Sequence, residues 1–175
     1  MVDQKMGLNV GSGFEARAGW VNVDLRGLAG VVDVKADIRR LPFADQQFQW
    51  ILAESVLEHL DDPRPAIFEL RRLLRADGKV EVRIPALGTN AAQLDPTHKY
   101  LADLKHWVDL MREQFQYVDA GSIGVRWRYH TLLVAIQYFL IKGLGFHELG
   151  QCWVLIAKLP REMPMKLIPE RWWLD

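Results

Sequence analysis

The chain has 175 residues, which is the size of one domain rather than two. Half of the residues are hydrophobic and a quarter are charged, a composition that excludes a disordered or collagen-like chain. The 22 basic and 22 acidic side chains give a formal net charge of zero, so no overall field attracts nucleic acid or an anionic membrane. We therefore expect one domain over residues 1–175, without a nucleic-acid or membrane partner.

The cysteine content and the hydropathy of the chain indicate its compartment. Cys152 is the only cysteine, which excludes an intrachain disulfide and a Cys-x-x-Cys zinc pair. The first residues lack the apolar core of a signal peptide. The longest mostly apolar run, residues 132–141, is half as long as the roughly 20 residues that a membrane span needs. These features predict a cytoplasmic protein.

Short runs rich in apolar and β-branched residues predict four strands near the start of the chain. They are residues 8–10, 21–24, 31–34 and 50–53. The fourth run is apolar at every position, as expected of a central strand that is buried on both faces.

A helix is predicted after the fourth strand. Asp62 can cap its start, and Ile67, Leu70 and Leu74 share one face at helical spacing. Residues 77–78, an Asp-Gly pair, are expected to end it. The helix therefore lies between two strands, because residues 79–84 follow with alternating valines and charged residues.

The second half of the chain predicts two helices and a hairpin. The helices are expected through residues 101–111 and near 131–142. Residues 146–149 and 152–158, separated by a glycine, read as an antiparallel hairpin. Strand, helix and strand in the middle with a hairpin at the end predict an α/β fold whose sheet is mostly parallel with an antiparallel edge.

Alternation within the strands predicts that the two faces of the sheet differ. Residues 21–24, 31–34 and 79–84 alternate apolar and polar side chains, which a sheet covered on both faces should not show. We expect one face to be partly exposed, or covered by the 95–130 segment, by the tail or by a second subunit.

A glycine-rich loop follows the first strand. Gly11, Ser12 and Gly13 open a match to Gly-x-Gly-x-x-Gly/Ala, in which missing side chains let backbone amides approach a ligand. Asp24 ends the next strand, where a carboxylate can accept both hydroxyls of a ribose. A tight turn after a strand is the alternative reading of the loop alone.

The spacing of the loop favours one ligand over another. A dinucleotide needs a helix N-terminus for its pyrophosphate and an acidic residue about 20 positions on. Here the acidic residue comes after 13 positions, and only seven residues separate the loop from the second strand. S-adenosylmethionine has no phosphate, so the short loop favours the methyl donor.

An ordered series of motifs across about residues 7–85 resembles the class I S-adenosylmethionine-dependent methyltransferases, most closely the small type 11 group. The motifs are residues 8–13, 19–24, 37–43, 48–51 and 56–60. The resemblance implies a Rossmann-like, doubly wound, mostly parallel sheet and S-adenosyl-L-methionine as the cofactor. The chain departs from the group in three respects. Asn9 stands where the group usually has an acid, Glu15 stands where it has a third glycine, and the helices after the first two strands are truncated to a turn or less.

The resemblance also implies which residues bind the cofactor. Asp24 would bind the ribose, Asp37 would contact the adenine amino group, and Ile38 would lie against the ring. Asn9 stands where the family usually has an acid, so it would accept a hydrogen bond from the donor's amino group without a charge. The complete implied set is Asn9, Gly11, Ser12, Gly13, Asp24, Leu25, Asp37, Ile38, Glu54 and Ser55.

Two histidines are candidates for the chemistry of methyl transfer. Placement and water exclusion do most of the work, but a base helps when a hydroxyl or amine acceptor must lose a proton. His98 follows Asp95, which could fix the histidine tautomer, and His59 lies past the carboxyl end of the fourth strand, where ligands bind in open α/β sheets. His98, Asp95 and His59 are therefore the predicted catalytic residues. In the alternative, Asp95 caps a helix and His98 is a surface residue, while His59 caps a turn and Glu58 orders the loop.

No metal site is predicted. In some related O-methyltransferases a Glu-x-x-Glu-His run at the position of Glu58 and His59 binds a divalent metal. This chain has Ser55 at the first position of that run, which argues against a metal.

The sequence as a whole predicts a methyltransferase that transfers a methyl group from S-adenosylmethionine to O or N of a small-molecule or sugar-like acceptor. A non-catalytic S-adenosylmethionine-binding or assembly protein and an NAD-dependent oxidoreductase are the alternatives. The single domain divides into a donor-binding part at 1–85, an acceptor-side segment at 86–130, a last helix and hairpin at 131–160 and a tail at 161–175. Trp172 and Trp173 in this tail suggest a homodimer contact, or a tail folded onto its own domain.

Overall fold

The computed structural model describes residues 7–87, 89–123 and 152–158. Within them, seven strands form one sheet in the order β3-β2-β1-β4-β5-β7-β6. The first five strands are parallel, and β7 is antiparallel to both β5 and β6. The strands are β1 (Gly7–Val10), β2 (Trp20–Asp24), β3 (Val34–Lys35), β4 (Phe48–Glu54), β5 (Leu74–Pro85), β6 (Tyr117–Ile123) and β7 (Cys152–Lys158). The predicted mostly parallel α/β sheet with an antiparallel C-terminal pair is confirmed.

The described helices are few and all follow β4. They are a 3-10 helix (Leu57–His59), α1 (Arg64–Leu73), α2 (Asn90–Gln93) and α3 (Leu104–Arg112). Residues 11–19 and 25–33 form turns and irregular loops, so the truncation after the first two strands is confirmed. None of the helices in the described part of the chain has the length and hydropathy needed to cross a membrane.

The pairing register divides the strand residues between two faces. The apolar face carries the aligned row Val21, Leu8, Ile51, Val80, Ala157 and Val118. Buried side chains of α1 and α3 join this row in one hydrophobic core, as their apolar periodicity requires. The polar face carries the rows Trp20, Gly7, Trp50, Lys79, Lys158, Tyr117 and Asn22, Asn9, Leu52, Glu81, Ile156, Asp119. Because α3 belongs to the core of the apolar face, the described part of the 95–130 segment does not cover the polar face.

Two predictions about the strands in the first half of the chain are wrong. The third strand is only Val34–Lys35, because the amides of Val31 and Val32 donate to the carbonyl of Leu28 in a turn. The fourth strand is not buried on both faces at every position, since Trp50 is 36% exposed on the polar face.

The predicted end of α1 is also wrong. The helix stops at Leu73, and β5 already begins at Leu74, which pairs with Phe48. The register then shifts, so that the next paired residue of β5 is Lys79. A Cβ atom on Gly78 would lie 2.6 Å from the carbonyl oxygen of Gln49, so the Asp-Gly pair allows a close strand approach instead of ending the helix.

In the second half, the sequence analysis did not predict β6. Its Asp119, Gly121 and Ser122 weaken the β-strand pattern, and it is an edge strand that pairs only with β7. The expected helix over 101–111 begins at Leu104, because Asp103 caps it by accepting a hydrogen bond from the amide of His106 (2.7 Å). The predicted strand 146–149, the helix 131–142 and the tail 161–175 lie outside the described residues.

Candidate functional site

A pocket of about 290 Å³ lies at the carboxyl ends of the parallel strands, the edge at which open α/β sheets bind ligands. We call it the edge pocket. Six of the ten predicted cofactor residues line it, together with His59. Its lining is Val10, Gly11, Asp24, Leu25, Arg26, Ala36, Asp37, Ile38, Arg39, Ser55, Val56, His59 and Leu60.

The glycine loop forms one wall of the edge pocket. Gly11 and Gly13 both have positive φ angles, of 66° and 51°. A Cβ atom on Gly11 would collide with the side chain of Val56, so only glycine fits there. The amide of Ser12 donates to the carbonyl of Val23 (3.0 Å), which attaches the loop to β2. The loop therefore presents backbone rather than side chains to the pocket.

Asp24 is fixed at the end of β2 by two backbone donors. The amide of Gly13 donates to Oδ2 (2.9 Å) and the amide of Arg26 donates to Oδ1 (2.8 Å). The residue is only 7% exposed, yet it lines the pocket. A carboxylate oxygen has a second lone pair, so both oxygens can still accept a hydroxyl.

Asp37 lies across the pocket and is paired with a neighbouring arginine. Nη2 of Arg39 donates to Oδ2 (2.6 Å) and Nε donates to Oδ1 (3.0 Å). This hydrogen-bonded guanidinium lowers the pKa of Asp37, so the carboxylate stays ionised at neutral pH. Ile38 beside it is 7% exposed and forms an apolar wall.

The loop that carries these two residues is held on α1 by a second ion pair. Arg72 donates to both carboxylate oxygens of Glu69 (2.7 and 2.8 Å) and to the carbonyls of Leu41 (3.2 Å) and Phe43 (2.8 Å). Glu69 in turn accepts from the amide of Leu41 (2.7 Å). The hydrogen bonds from Arg72 lower the pKa of Glu69. These bonds fix the position of the loop that follows Asp37.

The other four predicted cofactor residues do not line the edge pocket. The side-chain amide of Asn9 donates to Oδ1 of Asn22 and to the carbonyl of Glu15 (both 3.0 Å). Glu54 accepts from Nη1 of Arg83 (3.1 and 3.2 Å) on the polar face. Gly13 and Ser12 contribute backbone bonds to the loop, and Oγ of Ser12 is buried with no hydrogen-bond partner in the described part of the chain.

The predicted catalytic residues come together beside the pocket. The rings of His59 and His98 have centroids 4.8 Å apart, and Nε2 of His98 lies 3.8 Å from Oδ2 of Asp95. His98 has a side chain only 4% exposed and does not line the pocket, whereas His59 does. The main partner of Asp95 is Thr97, whose hydroxyl donates to Oδ1 (2.6 Å) and lowers the pKa of the carboxyl group.

A larger hollow of about 440 Å³ lies at the opposite, amino ends of the strands. It is lined on the polar face by Trp20, Trp50, Lys79 and Lys158, among others. It contains none of the predicted cofactor or catalytic residues. Because strand polarity and the ionisable side chains both point to the carboxyl edge, we take the smaller edge pocket as the functional site.

One family model and several solved structures match this chain. Residues 10–82 match a family model described as a methyltransferase domain. Over this segment the chain is similar to the type 11 methyltransferases. The segment runs from the end of β1 into β5 and so contains the lining of the edge pocket. No curated protein sequence matches the chain significantly.

Several solved structures share the fold of this chain. An S-adenosylmethionine-dependent methyltransferase from Archaeoglobus fulgidus is 15% identical, with a TM-score of 0.63 over 87% of this chain and 85% of that one. One from Thermotoga maritima is 17% identical, with a TM-score of 0.61 over 87% and 81%. Phosphoethanolamine N-methyltransferase 2 from Haemonchus contortus, in complex with S-adenosyl-L-methionine, is 16% identical, with a TM-score of 0.60 over 89% and 48%. At these identities the likeness establishes the Rossmann-like methyltransferase fold.

Two features of the site were not predicted from the sequence. Arg39 covers Asp37, and the signal for it was a base two residues after an acid in a predicted loop. Glu58 is completely buried next to the two histidines. Its burial had no signal in the sequence, because it follows from the packing of the 95–100 segment on the 3-10 helix.

Proposed function

We propose that this protein is an S-adenosylmethionine-dependent methyltransferase that methylates an oxygen or nitrogen of a small-molecule or sugar-like acceptor. The observation that supports it is the edge pocket, in which the glycine loop, Asp24 and the pair Asp37 and Ile38 line one crevice at the carboxyl ends of the strands. This is the arrangement of groups that a nucleoside with an attached amino acid requires.

The residues of the edge pocket fit the cofactor in three ways. Gly11 lines the pocket without a side chain, so the methionine part can approach the backbone there. The buried Oγ of Ser12 has no partner in the described part of the chain and can bond a polar group of the donor. Asp24 can accept the ribose hydroxyls, and Asp37 can accept the adenine amino group once Arg39, with a side chain 54% exposed, moves aside.

The histidine cluster marks the acceptor end of the site. The acceptor attacks the methyl carbon in line, its new bond to carbon forms as the carbon–sulfur bond breaks, and the electron pair of that bond goes to sulfur. An O or N acceptor must also lose a proton. His59 reaches the pocket, and His98 and Asp95 lie behind it, so we assign to these three residues the activation of the acceptor.

Binding and turnover test the proposal separately. Isothermal titration calorimetry should show binding of S-adenosylmethionine and S-adenosylhomocysteine but not of NAD, since residues 11–19 provide no helix N-terminus for a pyrophosphate. Asp24→Ala should weaken donor binding at least about tenfold, the equivalent of one lost hydrogen bond to a charged group. Asp109→Ala, an exposed carboxylate on α3 outside the pocket, should not change donor affinity. Binding of NAD alone would contradict the proposal.

A specific observation supports the second candidate, a protein that binds the donor without turnover. The amide of Asn9 is used for the contacts with Asn22 and Glu15, so it supplies no negative charge at the end of β1. Donor binding without any methylated product from a broad screen of hydroxyl and amine compounds, followed by mass spectrometry, would favour this candidate.

We also propose a second copy of the chain as a partner, through Trp172 and Trp173 of the tail. The support is the exposed aromatic surface of the polar face around Trp50, which a tail of either copy would cover. Light scattering on the full chain and on a chain ending at residue 160 should show a dimer and a monomer. A monomer in both would contradict the dimer.

A further inference from the structure

Three side chains at the acceptor end form a compact set of metal-ligand types. One ligand atom from each of Glu58, His59 and His98 lies within 4.8 Å of the others. The first two belong to the 3-10 helix, and the third comes from a segment 39 residues further on. The carbonyl of Glu58 accepts from the amides of Lys99 (2.8 Å) and Tyr100 (2.9 Å), which holds the two segments together.

Glu58 is the unusual member of the set. It is 0% exposed, and neither carboxylate oxygen has a hydrogen-bond partner in residues 7–87, 89–123 and 152–158. A buried carboxylate without a partner is costly, and buried charges in proteins are normally paired or bound to a metal. The ammonium group of Lys99, whose backbone amide bonds to the Glu58 carbonyl, lies on Asp61 instead (3.1 Å). No lysine or arginine in the described residues forms an ion pair with the Glu58 carboxylate.

The two histidines are oriented as metal ligands are. Nδ1 of His98 lies 3.0 Å from the carbonyl of Ala92, and Nδ1 of His59 lies 3.0 Å from Oγ1 of Thr97 and 3.3 Å from its carbonyl. A ring nitrogen that donates to a carbonyl carries the proton, so Nε2 of each ring is the nitrogen available to a metal. Metal-bound histidines almost always have such a partner for the other nitrogen.

We propose that Glu58, His59 and His98 bind a divalent first-row transition-metal ion such as Zn²⁺. Two imidazoles and one carboxylate suit such an ion better than Mg²⁺ or Ca²⁺, which prefer sets made only of oxygen. Three protein ligands also leave a coordination position open, as in catalytic zinc sites. Asp95, 3.8 Å from Nε2 of His98, is close enough to accept a hydrogen bond from a water on the ion.

The position of this site gives the ion a role in the reaction, a consequence that rests on the proposed function. His59 lines the edge pocket, so an ion bound to it lies at the acceptor end. A hydroxyl on the open position has a lowered pKa and releases its proton to solvent. The resulting oxygen forms the bond to the methyl carbon as the carbon–sulfur bond breaks. Metal binding itself does not depend on this role.

Calorimetry on the full chain, without an affinity tag and stripped of metal by a chelator, tests the site. Zn²⁺ should bind with one ion per chain, and Mg²⁺ should not compete. Glu58→Gln and His98→Gln should each weaken Zn²⁺ binding by more than the roughly 10–100-fold that loss of an outer-shell partner costs. His106→Gln, an exposed histidine bonded to Tyr100 outside the set, is the matched control and should leave the affinity unchanged.

Thermal unfolding, a Co²⁺ spectrum and separate donor titrations distinguish loss of the metal site from loss of the fold. Glu58→Gln keeps the shape and removes the buried charge, so it should fold, which thermal unfolding without metal checks. Bound Co²⁺ should have a visible spectrum that both ligand variants lose. Zn²⁺ binding that is absent, not stoichiometric, or unaffected by both variants would overturn the inference. Donor binding is measured in separate titrations, so its failure with Zn²⁺ binding intact would contradict only the proposed function.

Discussion

The apolar face of the sheet is packed against α1 and α3, whereas no described helix covers the polar face. Fourteen buried strand residues join these helices in one core; they are Leu8, Val10, Val23, Phe48, Ile51, Ala53, Leu74, Val80, Val82, Ile84, Val118, Trp153, Leu155 and Ala157. On the polar face, Trp50 and Tyr117 remain 36% and 39% exposed. This difference in cover accompanies the truncation of the helices after β1 and β2.

On the polar face, side-chain hydrogen bonds hold the loops against the sheet, a role that packed helices fill on the apolar face. Asn22 accepts from the backbone amide of Arg17 (2.8 Å) and from Asn9, and its amide group donates to the carbonyl of Arg17 (3.2 Å). These bonds hold the loop between β1 and β2 on the sheet. Glu54 and Glu81 share Arg83 further along the same face. The loops at the carboxyl edge are therefore held in place, and the amino ends of the strands stay open.

The edge pocket can form although the helices after β1 and β2 are truncated. The edge pocket needs the positions of the glycine loop, Asp24 and Asp37, and each is fixed by hydrogen bonds to a strand or to α1. A helix behind the loop is one way to fix it, and the Asn9 and Asn22 pair is another.

The largest expected effect compares two neighbouring residues of β4 that point to opposite faces. Ile51→Ala should lower the free energy of unfolding by about 3–4 kcal/mol, because it leaves a cavity in the core of the apolar face. Trp50→Ala should cost only about 1–2 kcal/mol, from its contacts with the ring of Trp20 (5.1 Å) and the ammonium of Lys79 (3.5 Å). Urea unfolding of both variants in a chain that ends at residue 160, and so lacks the tail proposed to cover Trp50, measures the difference. Equal losses would mean that another part of the chain covers Trp50.

The next effect tests the polar network of the second face. Asn9→Asp restores the acid usual in the family, but it should lower stability by about 1–3 kcal/mol. The reason is that Oδ1 of Asn22 already accepts from a backbone amide, so Asn9 must donate, and a carboxylate would face two acceptor oxygens. Gln116→Glu, an exposed change of the same charge, is the control. Unchanged stability of Asn9→Asp would contradict the network.

A third, smaller effect concerns the clamp between α1 and the Asp37 loop. Because hydrogen bonds from Arg72 lower the folded-state pKa of Glu69, this pair stabilises the fold above the unfolded pKa of about 4.5 and loses its effect as pH falls through the folded value. Glu69→Gln should therefore cost about 1–2 kcal/mol at neutral pH, and the difference from wild type should vanish in acid below about pH 4. Denaturant unfolding across this range measures it. A difference that persists in acid would show that packing, not charge, is responsible.

The smallest effect concerns Cys152 on the polar face. Burial raises the pKa of its thiol to about 11, so little thiolate is present at pH 8. At pH 8 the reaction of this thiol with a chromogenic aromatic disulfide should be slow in the native protein and become fast in denaturant. The thiolate attacks one sulfur of the reagent, and the other sulfur leaves as a coloured aromatic thiolate whose absorbance reports the rate. A native rate equal to the denatured rate would mean that this end of the polar face is open to solvent.

The parts of the fold that the sequence predicted are those with a local signal. Alternating valines predicted the difference between the faces, and the short spacing between Gly11 and Asp24 predicted the truncated helix. The central parts of β4 and β5 were predicted correctly, because residues 50–53 form a continuous apolar run and residues 79–84 alternate apolar and charged side chains. The boundaries failed where a distant partner decides them. Leu74 is a strand residue because it pairs with Phe48, and no residue near it in sequence records that pairing.

Part of the candidate site was predictable from the sequence, and part depends on contacts between distant residues. The predicted cofactor residues that line the edge pocket come from strand ends, whose place at one edge of a parallel sheet follows from the order of the strands. Side-chain geometry decides that Arg39 covers Asp37 and that Asn9 supports a loop. It also decides which predicted histidine reaches the pocket. The side chain of His98 is enclosed beside the pocket, whereas His59 lines it.

By itself, the sequence predicted a mostly parallel α/β sheet that resembles the methyltransferases, with a glycine loop, two acidic residues at strand ends and one face poor in apolar cover. Periodicity and spacing are local properties, and they suffice for these features. Only the tertiary structure decided that Glu58 and His59 meet His98, since segments 39 residues apart are brought together by packing and by hydrogen bonds to one carbonyl. The burial of Glu58 without a partner arises from that contact, and so does the inferred metal site.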